Sequence, residues 1–270
     1  MLKHILFPPV LLPQNKVRRV VEDKTILITG ASFGIGKELA LYLSEFQTHL
    51  ILVARTKDKL DELKELVDSK NSTSEVYAVD LRNENERIEF IDCIKNSSVD
   101  FLILNAGKSI RRPLLESLDR FHDVTRTNDI NYLAPVHLML GLIPSLAQTK
   151  GKVINVSAIN VLYPPPPFWS VYQASKTAFD QWFRANEIEL NKLGLSTSTI
   201  YFPLVRTRMI EPNEKYQKVP AMSPVQAAKR IAKLMSGRRR SYKPWWHYTI
   251  APFVWFFFPI YRLIVKAKLK

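Results

Sequence analysis

The stretch that decides the fold is residues 29–36, which read TGASFGIG and carry glycines at positions 30, 34 and 36. Residues without a Cβ form a tight turn that lets the backbone approach a pyrophosphate. A helix after such a turn presents free N–H groups and the positive end of its dipole to that phosphate. Three of the chain's eight glycines fall in this one turn, which argues against a helix entry with incidental glycines. The candidate binding residues of the turn are Gly30, Ser32, Phe33, Gly34, Ile35 and Gly36.

Apolar runs suited to buried strands lie on both sides of the turn. They occupy residues 25–29, 49–54, 75–80, 101–106, 152–158 and 196–202, with a weaker seventh candidate near 240–243. Amphipathic stretches with helical periodicity separate these runs. The alternation predicts an α/β protein with a single doubly wound Rossmann-type parallel sheet and helices on both faces.

Candidate ligand residues follow the carboxyl ends of the predicted strands, where a doubly wound sheet binds its ligands. Arg55 follows the second strand, at the place where an acidic residue would bind the ribose 2′-hydroxyl of NAD(H). An arginine suits a 2′-phosphate, so we predict NADP(H) as the cofactor; the alternative is a solvated arginine in a turn. The third and fourth strands supply the other candidates, Asp80 and Leu81 beside the adenine and Asn105, Ala106 and Gly107 beside the cofactor.

Tyr172 and Lys176 lie four residues apart in a predicted helix, in the sequence YQASK, and therefore share one face. A free phenol has a pKa of about 10, which is high for proton exchange at neutral pH. A neighbouring ammonium group favours the phenolate and lowers that pKa. The pair could then act as a general acid in carbonyl reduction or as a general base in alcohol oxidation. Alone, a tyrosine and a lysine at this spacing are more often surface residues.

The combination of motifs resembles the short-chain dehydrogenase/reductase family over about residues 24–236. The matching elements, in order, are TGASFGIG, Asp80, LNAG (104–107), Asn131, VSA (156–158), YQASK and PLVRT (203–207). The resemblance implies that Tyr172 donates the proton, that Lys176 also binds the nicotinamide ribose, and that Asn131 holds a water in a proton relay. It further implies contacts of the 203–207 segment with the cofactor, through Pro203, Val205 and Thr207.

A second resemblance covers the stretch from INVSAINVL (154–162) to PLVRTRMIEPNEKYQKVPAMSP (203–224). It is similar to the reductase domain of bacterial fatty acyl-CoA reductases and their stand-alone relatives. This similarity implies a lipophilic substrate, a long-chain acyl thioester, fatty aldehyde or ketone.

One position departs from the family pattern, which places a catalytic serine second in a pair of small residues, thirteen residues before the tyrosine. Here the pair is Ser157 and Ala158, so alanine stands in the catalytic place and Ser157 lies fifteen residues before Tyr172. Either an altered loop aims Ser157 at the substrate, or the site lacks this hydroxyl. Loss of one such donor can cost ~2.7–4 kcal/mol of transition-state stabilisation. Ser157 is kept as a catalytic candidate.

The net charge of +14 is concentrated at the two ends of the chain. Residues 1–20 carry four basic side chains and no acid, and residues 237–270 carry eight and no acid. We therefore divide the chain into a basic apolar extension (1–20), the dinucleotide-binding and catalytic domain (21–236) and an aromatic, basic tail (237–270). Cationic ends on a nearly neutral body fit an anionic membrane surface rather than a nucleic-acid groove. The single cysteine, Cys93, is expected to be buried, and no metal site is expected.

The tail contains an uncharged stretch of 18 residues, 244–261, that is rich in tryptophan, tyrosine and phenylalanine. A transmembrane helix needs about 20 apolar residues, and we expect Pro252 and Pro259 to break a helix here. Aromatic residues with basic flanks favour the headgroup region of a membrane. We interpret the tail as an interfacial anchor or substrate-gating flap, which places the protein in the cytoplasm at the inner membrane face. The alternative is a segment packed on the body or on a second subunit of a homo-oligomer.

The leading hypothesis is an NADPH-dependent reductase of a lipophilic carbonyl compound. A second is a soluble ketoreductase or alcohol dehydrogenase for a small substrate, whose tail makes oligomer contacts. A third is a cofactor-binding sensor or scaffold with weakened catalysis, which Ala158 alone favours.

Overall fold

Seven strands and eleven helices are formed within the part of the chain that the computed structural model describes, residues 2–210, 216 and 218–268. The strands are β1 (Lys24–Thr29), β2 (Thr48–Ala54), β3 (Thr73–Ala78), β4 (Phe101–Leu104), β5 (Lys152–Ala158), β6 (Ser196–Phe202) and β7 (Ser241–Tyr242). The helices are α1 (Leu2–Leu6), α2 (Gln14–Val21), α3 (Gly34–Leu43), α4 (Lys57–Asp68), α5 (Glu84–Ile94), α6 (Phe121–Asn128), α7 (Ala134–Thr149), α8 (Ser170–Ala185), α9 (Glu187–Lys192), α10 (Pro224–Met235) and α11 (His247–Lys268).

The strands form one parallel sheet in the order β3-β2-β1-β4-β5-β6-β7. The chain crosses over between β3 and β4, so the sheet is doubly wound as predicted. The carboxyl ends of β1 and β4 meet at this crossover, where a crevice opens between the two halves. The weak seventh strand is confirmed as a two-residue edge strand beside β6.

Alternate residues of each central strand supply two hydrophobic layers. In β1, Ile26 and Ile28 face one layer and Leu27 faces the other, and all three are fully buried. The first layer packs under α2, α3, α4 and α10, and the second packs under α5, α7 and α8. Apolar residues on both faces of the strand explain the continuous apolar runs in the sequence.

The N-terminal extension packs against α10 and the start of the tail. Phe7 and Val17 are buried in the first layer. Arg230 in α10 donates to the carbonyl oxygen of Pro8 at 2.8 Å, and Trp245 Nε1 donates to that of Ile5 at 2.9 Å. A capping box between Ser223 and Gln226 fixes the start of α10. The two ends of the chain therefore meet on one side of the body.

In the tail, α11 is continuous over His247–Lys268, and the break expected at its prolines is not found. Each proline removes a single amide donor, and the remaining turns continue on either side of it. Among the described residues, two helical stretches are long and apolar enough to cross a membrane by length and composition, Phe121–Thr149 and His247–Ala267. The first is 44% buried over its most apolar window, as a core helix would be, whereas the second is 0% buried.

Cys93 is exposed, contrary to the expectation from sequence. It lies on the outer face of α5, because Phe90, Ile91 and Ile94 occupy the face that packs on the sheet.

Candidate functional site

A cavity of about 1030 Å³ opens at the carboxyl ends of the strands, along the crevice between β1 and β4. Its walls bring together residues that lie up to 186 positions apart, between Gly30 and Tyr216. The following predicted site residues line it: Gly30, Ser32, Phe33, Gly34, Ile35, Arg55, Asp80, Leu81, Asn105, Ala106, Gly107, Ser157, Tyr172, Lys176, Pro203, Val205 and Thr207. Gly36 and Asn131 are the predicted residues outside this lining.

The glycine turn is held in a conformation that side chains would disturb. Gly30 has a φ of +68°, and a Cβ there would lie 2.9 Å from the Cα of Ala106. Gly36 lies behind the turn, where a Cβ would be 2.3 Å from the Gly30 carbonyl oxygen. Gly36 therefore allows α3 to pack closely against β1 instead of facing the cavity. The turn leaves a cradle at the start of α3 that suits a pyrophosphate.

Thr29 ties the glycine turn to the end of β4. Its hydroxyl oxygen accepts hydrogen bonds from the backbone N–H groups of Asn105 and Ala106, each at 3.0 Å. The Asn105 amide donates in turn to the Thr29 carbonyl oxygen at 2.9 Å. These contacts hold the walls of the crevice at a fixed spacing. The sequence motif contains Thr29, but nothing in its pattern identifies it as the link between the two strands.

Positive charges gather at the end of the cavity formed after β2 and β3. Arg55, Arg82 and Lys108 all line it, and only Arg55 was predicted. Burial lowers the pKa of Lys108, and the nearby Arg126, Arg82 and Arg55 lower it further. A dianionic phosphate placed among these groups would relieve their mutual repulsion.

The Asp80 carboxylate forms an ion pair with Arg82, which occupies both of its oxygens. Arg82 Nε donates to both carboxylate oxygens, at 3.0 and 3.1 Å, and Arg82 Nη2 bonds to one of them at 2.5 Å. Burial opposes ionisation of Asp80, but the Arg82 hydrogen bonds outweigh it, and Arg55 adds to them, so the pKa of this carboxyl lies below its ordinary value. Because Arg82 pairs with Asp80, this carboxylate adds no net negative charge beside Arg55.

Tyr172 and Lys176 lie on the same face of α8 and both line the cavity. Burial raises the pKa of Tyr172 to about 12, and the neighbouring Tyr216 phenol raises it too. This direction is opposite to the one expected from an adjacent ammonium group. Burial also lowers the pKa of Lys176 to about 8, and its Nζ donates to the carbonyl oxygen of Val156 at 3.2 Å. Desolvation of both groups explains the discrepancy.

Asn131 is buried inside the protein beside the cavity. It lies in a π-helical turn, Asp129–Leu133, between α6 and α7. Its Oδ1 accepts from Lys108 N at 2.9 Å, and its Nδ2 donates to Lys108 O at 2.8 Å and to Ser175 Oγ at 3.0 Å. The side chain thus fixes the 107–108 backbone and α8 together. Its role in a water relay stays a prediction.

Ser157 and Ala158 both line the cavity at the end of β5. The Ser157 hydroxyl oxygen is buried and forms no hydrogen bond among the described residues. Ala158 offers only a methyl group. Neither residue therefore presents an accessible hydroxyl to the cavity, and the altered pair is a real change in the chemistry of this wall.

Trp169 and Tyr216 give the cavity an aromatic wall beside Tyr172, and sequence reasoning identified neither of them. The Trp169 ring packs edge-on against Tyr172, with ring centroids 5.9 Å apart, and stacks on Tyr216 at 6.0 Å. The Arg208 guanidinium lies 3.8 Å from the centroid of the Phe33 ring and bridges the glycine turn and the segment after β6. Of the second resemblance, residues 211–215 and 217 lie outside the described part of the chain.

The short chain dehydrogenase family model matches residues 24–218. A fatty acyl-CoA reductase from Acinetobacter baylyi is 43% identical over 214 residues, which cover 78% of this chain and 72% of the relative. A fatty acyl-CoA reductase from Mycobacterium tuberculosis is 39% identical over 229 residues, which cover 82% and 76%. Among solved structures, a short-chain dehydrogenase from Sphingobium yanoikuyae in complex with NADPH matches with a TM-score of 0.76 at 22% identity, over 92% of this chain and 96% of that one. Both resemblances seen in the motifs are confirmed, and the chain is an oxidoreductase of the short-chain dehydrogenase/reductase family.

Proposed function

We propose that the protein is an NADPH-dependent reductase of a lipophilic carbonyl compound, with a long-chain acyl-CoA or fatty aldehyde as substrate. The observation that carries the proposal is one continuous cavity, lined at one end by the glycine turn and Arg55 and at the other by Tyr172 and Lys176. A dinucleotide in this cavity would reach from the positive charges of Arg55 and Lys108 to the phenol of Tyr172.

The residues present fit NADP(H). The turn around Gly30 and Gly34, with positive φ at both, leaves room for a pyrophosphate at the start of α3. Arg55, supported by Lys108, would bind a 2′-phosphate, since Arg82 is engaged with Asp80. The Sphingobium yanoikuyae dehydrogenase with the same fold is in complex with NADPH, which is consistent with this cofactor. When bound, the nicotinamide supplies the hydride.

Side chains of the protein supply the proton for the reduction. Tyr172, protonated at neutral pH because burial raises its pKa to about 12, donates a proton to the carbonyl oxygen as hydride reaches the carbonyl carbon. The Lys176 ammonium lies beside Gly107, where a Cβ would come within 3.2 Å of its Nζ, and can hold the cofactor ribose there. It also stabilises the phenolate that Tyr172 becomes, and Asn131 keeps α8 and the 107–108 backbone in register for this step.

The substrate class is inferred from the relatives and from the aromatic wall. The two curated relatives are fatty acyl-CoA reductases, and the chain covers more than two thirds of each. Trp169, Ile159 and Met209 give the Tyr172 end of the cavity apolar surface. With an acyl thioester, hydride addition and protonation lead to aldehyde and free thiol; with an aldehyde, they lead to the alcohol.

NADPH consumption at 340 nm tests the proposal against acyl-CoAs, aldehydes and ketones of graded chain length. We expect turnover to rise with chain length among the acyl-CoAs or the aldehydes. Turnover only with short ketones would favour the small-substrate ketoreductase. Tight NADPH binding without turnover on any substrate would favour the sensor or scaffold.

The rate of carbonyl reduction should fall above about pH 8, because the Lys176 ammonium loses its proton there. Its pKa is lowered to about 8, so the ammonium is present below that pH and absent above it, while Tyr172 stays protonated throughout. We expect kcat/KM to be level near neutral pH and to fall as the pH rises through about 8, since this ratio reports the free enzyme. A Lys176→Arg variant should keep whatever rate it has across this range, because a guanidinium does not titrate there. A wild-type profile that stays level to about pH 10 would count against the assignment.

We further propose that α11 holds the protein on the anionic, cytoplasmic face of a membrane. Its aromatic side chains are exposed, with Phe253 at 63% and Phe256 at 75%. Residues 244–261 carry no charge and lie between Arg238, Arg239, Arg240 and Lys243 on one side and Arg262 and Lys266 on the other. Basic residues at both ends favour a helix lying in the interface over one that crosses it, because neither end is suited to translocation. Each cation near an anionic surface contributes about 1 kcal/mol.

Vesicle sedimentation tests this docking. The double variant Phe253→Glu/Phe256→Glu should reduce binding to vesicles containing phosphatidylglycerol by roughly tenfold or more, since it removes two inserted rings. Ile188→Glu/Leu193→Glu is the matched control, because it adds the same charges at exposed apolar positions on the body. Equal sedimentation of the two variants would refute the docking. Loss of a dimer in solution, seen only in the first variant, would instead assign α11 to a second copy of the chain; a homo-oligomer stays a prediction.

A further inference from the structure

A carbonyl oxygen that takes on negative charge during reduction can accept two hydrogen bonds. Tyr172 provides one donor in the proposed reaction. The wall at the end of β5, where a second would be expected, ends in Ala158, and the neighbouring Ser157 hydroxyl is enclosed within the protein. The second donor must therefore come from another side of the cavity.

Tyr216 is placed to supply it. Its ring stacks on Trp169, whose other neighbour in the same wall is Tyr172, so both phenols pack on one indole. Tyr216 and Tyr172 both line the cavity. The two phenols are close enough that Tyr216 raises the pKa of Tyr172. The backbone of Tyr216 is also held, since Arg206 Nη1 donates to its carbonyl oxygen at 2.9 Å.

The Tyr216 phenol is protonated at neutral pH and can therefore donate a hydrogen bond. Burial raises the pKa of Tyr216, and the nearby Arg111 only partly opposes this. Both phenols therefore carry their protons at neutral pH. Two adjacent phenols disfavour ionisation of each other, and a substrate oxygen between them would accept a hydrogen bond from both.

We propose that Tyr216 is a second catalytic residue, whose phenol donates a hydrogen bond to the substrate carbonyl in place of a serine hydroxyl. This inference rests on the proposed carbonyl reduction. Tyr216 keeps its proton throughout, and only Tyr172 transfers one. Arg206 acts as a positioning residue, because it holds the Tyr216 backbone.

The test compares five variants, each assayed with NADPH and the best substrate of the chain-length panel. Tyr216→Phe keeps the ring on Trp169 and removes only the hydroxyl, so kcat should fall by roughly 10²-fold while the Kd for NADPH is unchanged. Adding Ala158→Ser to Tyr216→Phe should restore much of the loss, because it returns a donor to the wall at the end of β5. Tyr77→Phe, a half-buried phenol outside the cavity, should keep wild-type kcat. Ser157→Ala tests whether the enclosed hydroxyl at the end of β5 contributes to kcat.

Unchanged kcat in Tyr216→Phe would overturn the inference, as would a loss that comes with weakened NADPH binding or that Ala158→Ser does not recover. A large loss in Ser157→Ala alone would assign the donor to Ser157 instead. Tyr172→Phe separates the two proposals: if it is inactive while Tyr216→Phe is unaffected, only the role of Tyr216 fails. A wild-type protein that turns over no carbonyl substrate overturns both.

Discussion

Replacing Tyr172 by phenylalanine is expected to lower kcat for carbonyl reduction by roughly 10³-fold, within the range that general acid catalysis contributes. The substitution removes the only proton that the proposed reaction transfers and keeps the ring packed against Trp169. NADPH binding should persist, because the glycine turn and the cations after β2 and β3 are untouched. Absorbance at 340 nm measures turnover, and quenching of protein fluorescence measures the Kd.

Tyr163→Phe is the control for this experiment. The Tyr163 hydroxyl bonds to His247 Nδ1 at 3.0 Å and lies outside the cavity lining. We expect wild-type turnover from it. Wild-type turnover from Tyr172→Phe would instead mean that another group protonates the substrate.

Arg55→Asp should raise the Kd for NADPH by about a hundredfold or more and reverse the preference toward NADH. A hydrogen bond to a charged group is worth about 1.5–3 kcal/mol, and each 1.4 kcal/mol is a factor of ten. The new carboxylate would also repel the 2′-phosphate and accept hydrogen bonds from the ribose hydroxyls of NADH.

The matched control is Arg19→Asp, which makes the same charge change at an exposed position in α2. Calorimetric titration of both variants with NADPH and NADH measures the two dissociation constants. If Arg55→Asp still prefers NADPH, the 2′-phosphate is bound by Lys108 and Arg82 and not by Arg55.

Most of the fold could be predicted from the sequence because each central strand is a continuous apolar run between amphipathic helices. β5 and β6 begin and end where their runs do. β3 ends two residues before Asp80, which therefore lies in a loop where Arg82 can reach it. The glycine turn was predictable for a local reason, since its geometry depends on consecutive residues.

The groups that sequence reasoning missed depend on tertiary contacts. Lys108 joins Arg55 only because β2 and β4 end at the same edge of the sheet, and Tyr216 joins Tyr172 only because both pack on Trp169. The pKa of Tyr172 was predicted in the wrong direction, since sequence spacing shows the lysine but not the extent of burial. The continuous helix through Pro252 and Pro259 was missed because we expected each proline to end the helix. The hydrogen bonds of the neighbouring turns are enough to continue it.

Transfer of deuterium from NADPH that carries deuterium at both C4 positions of the nicotinamide tests the central claim most directly. With hexadecanal, mass spectrometry should find one deuterium on the former carbonyl carbon of the alcohol from wild-type protein. With palmitoyl-CoA it should find one in the aldehyde and two in any alcohol. The labelled product should be nearly absent with Tyr172→Phe. A product without deuterium, or equal labelling by the two proteins, would contradict a phenol-assisted hydride transfer at this site.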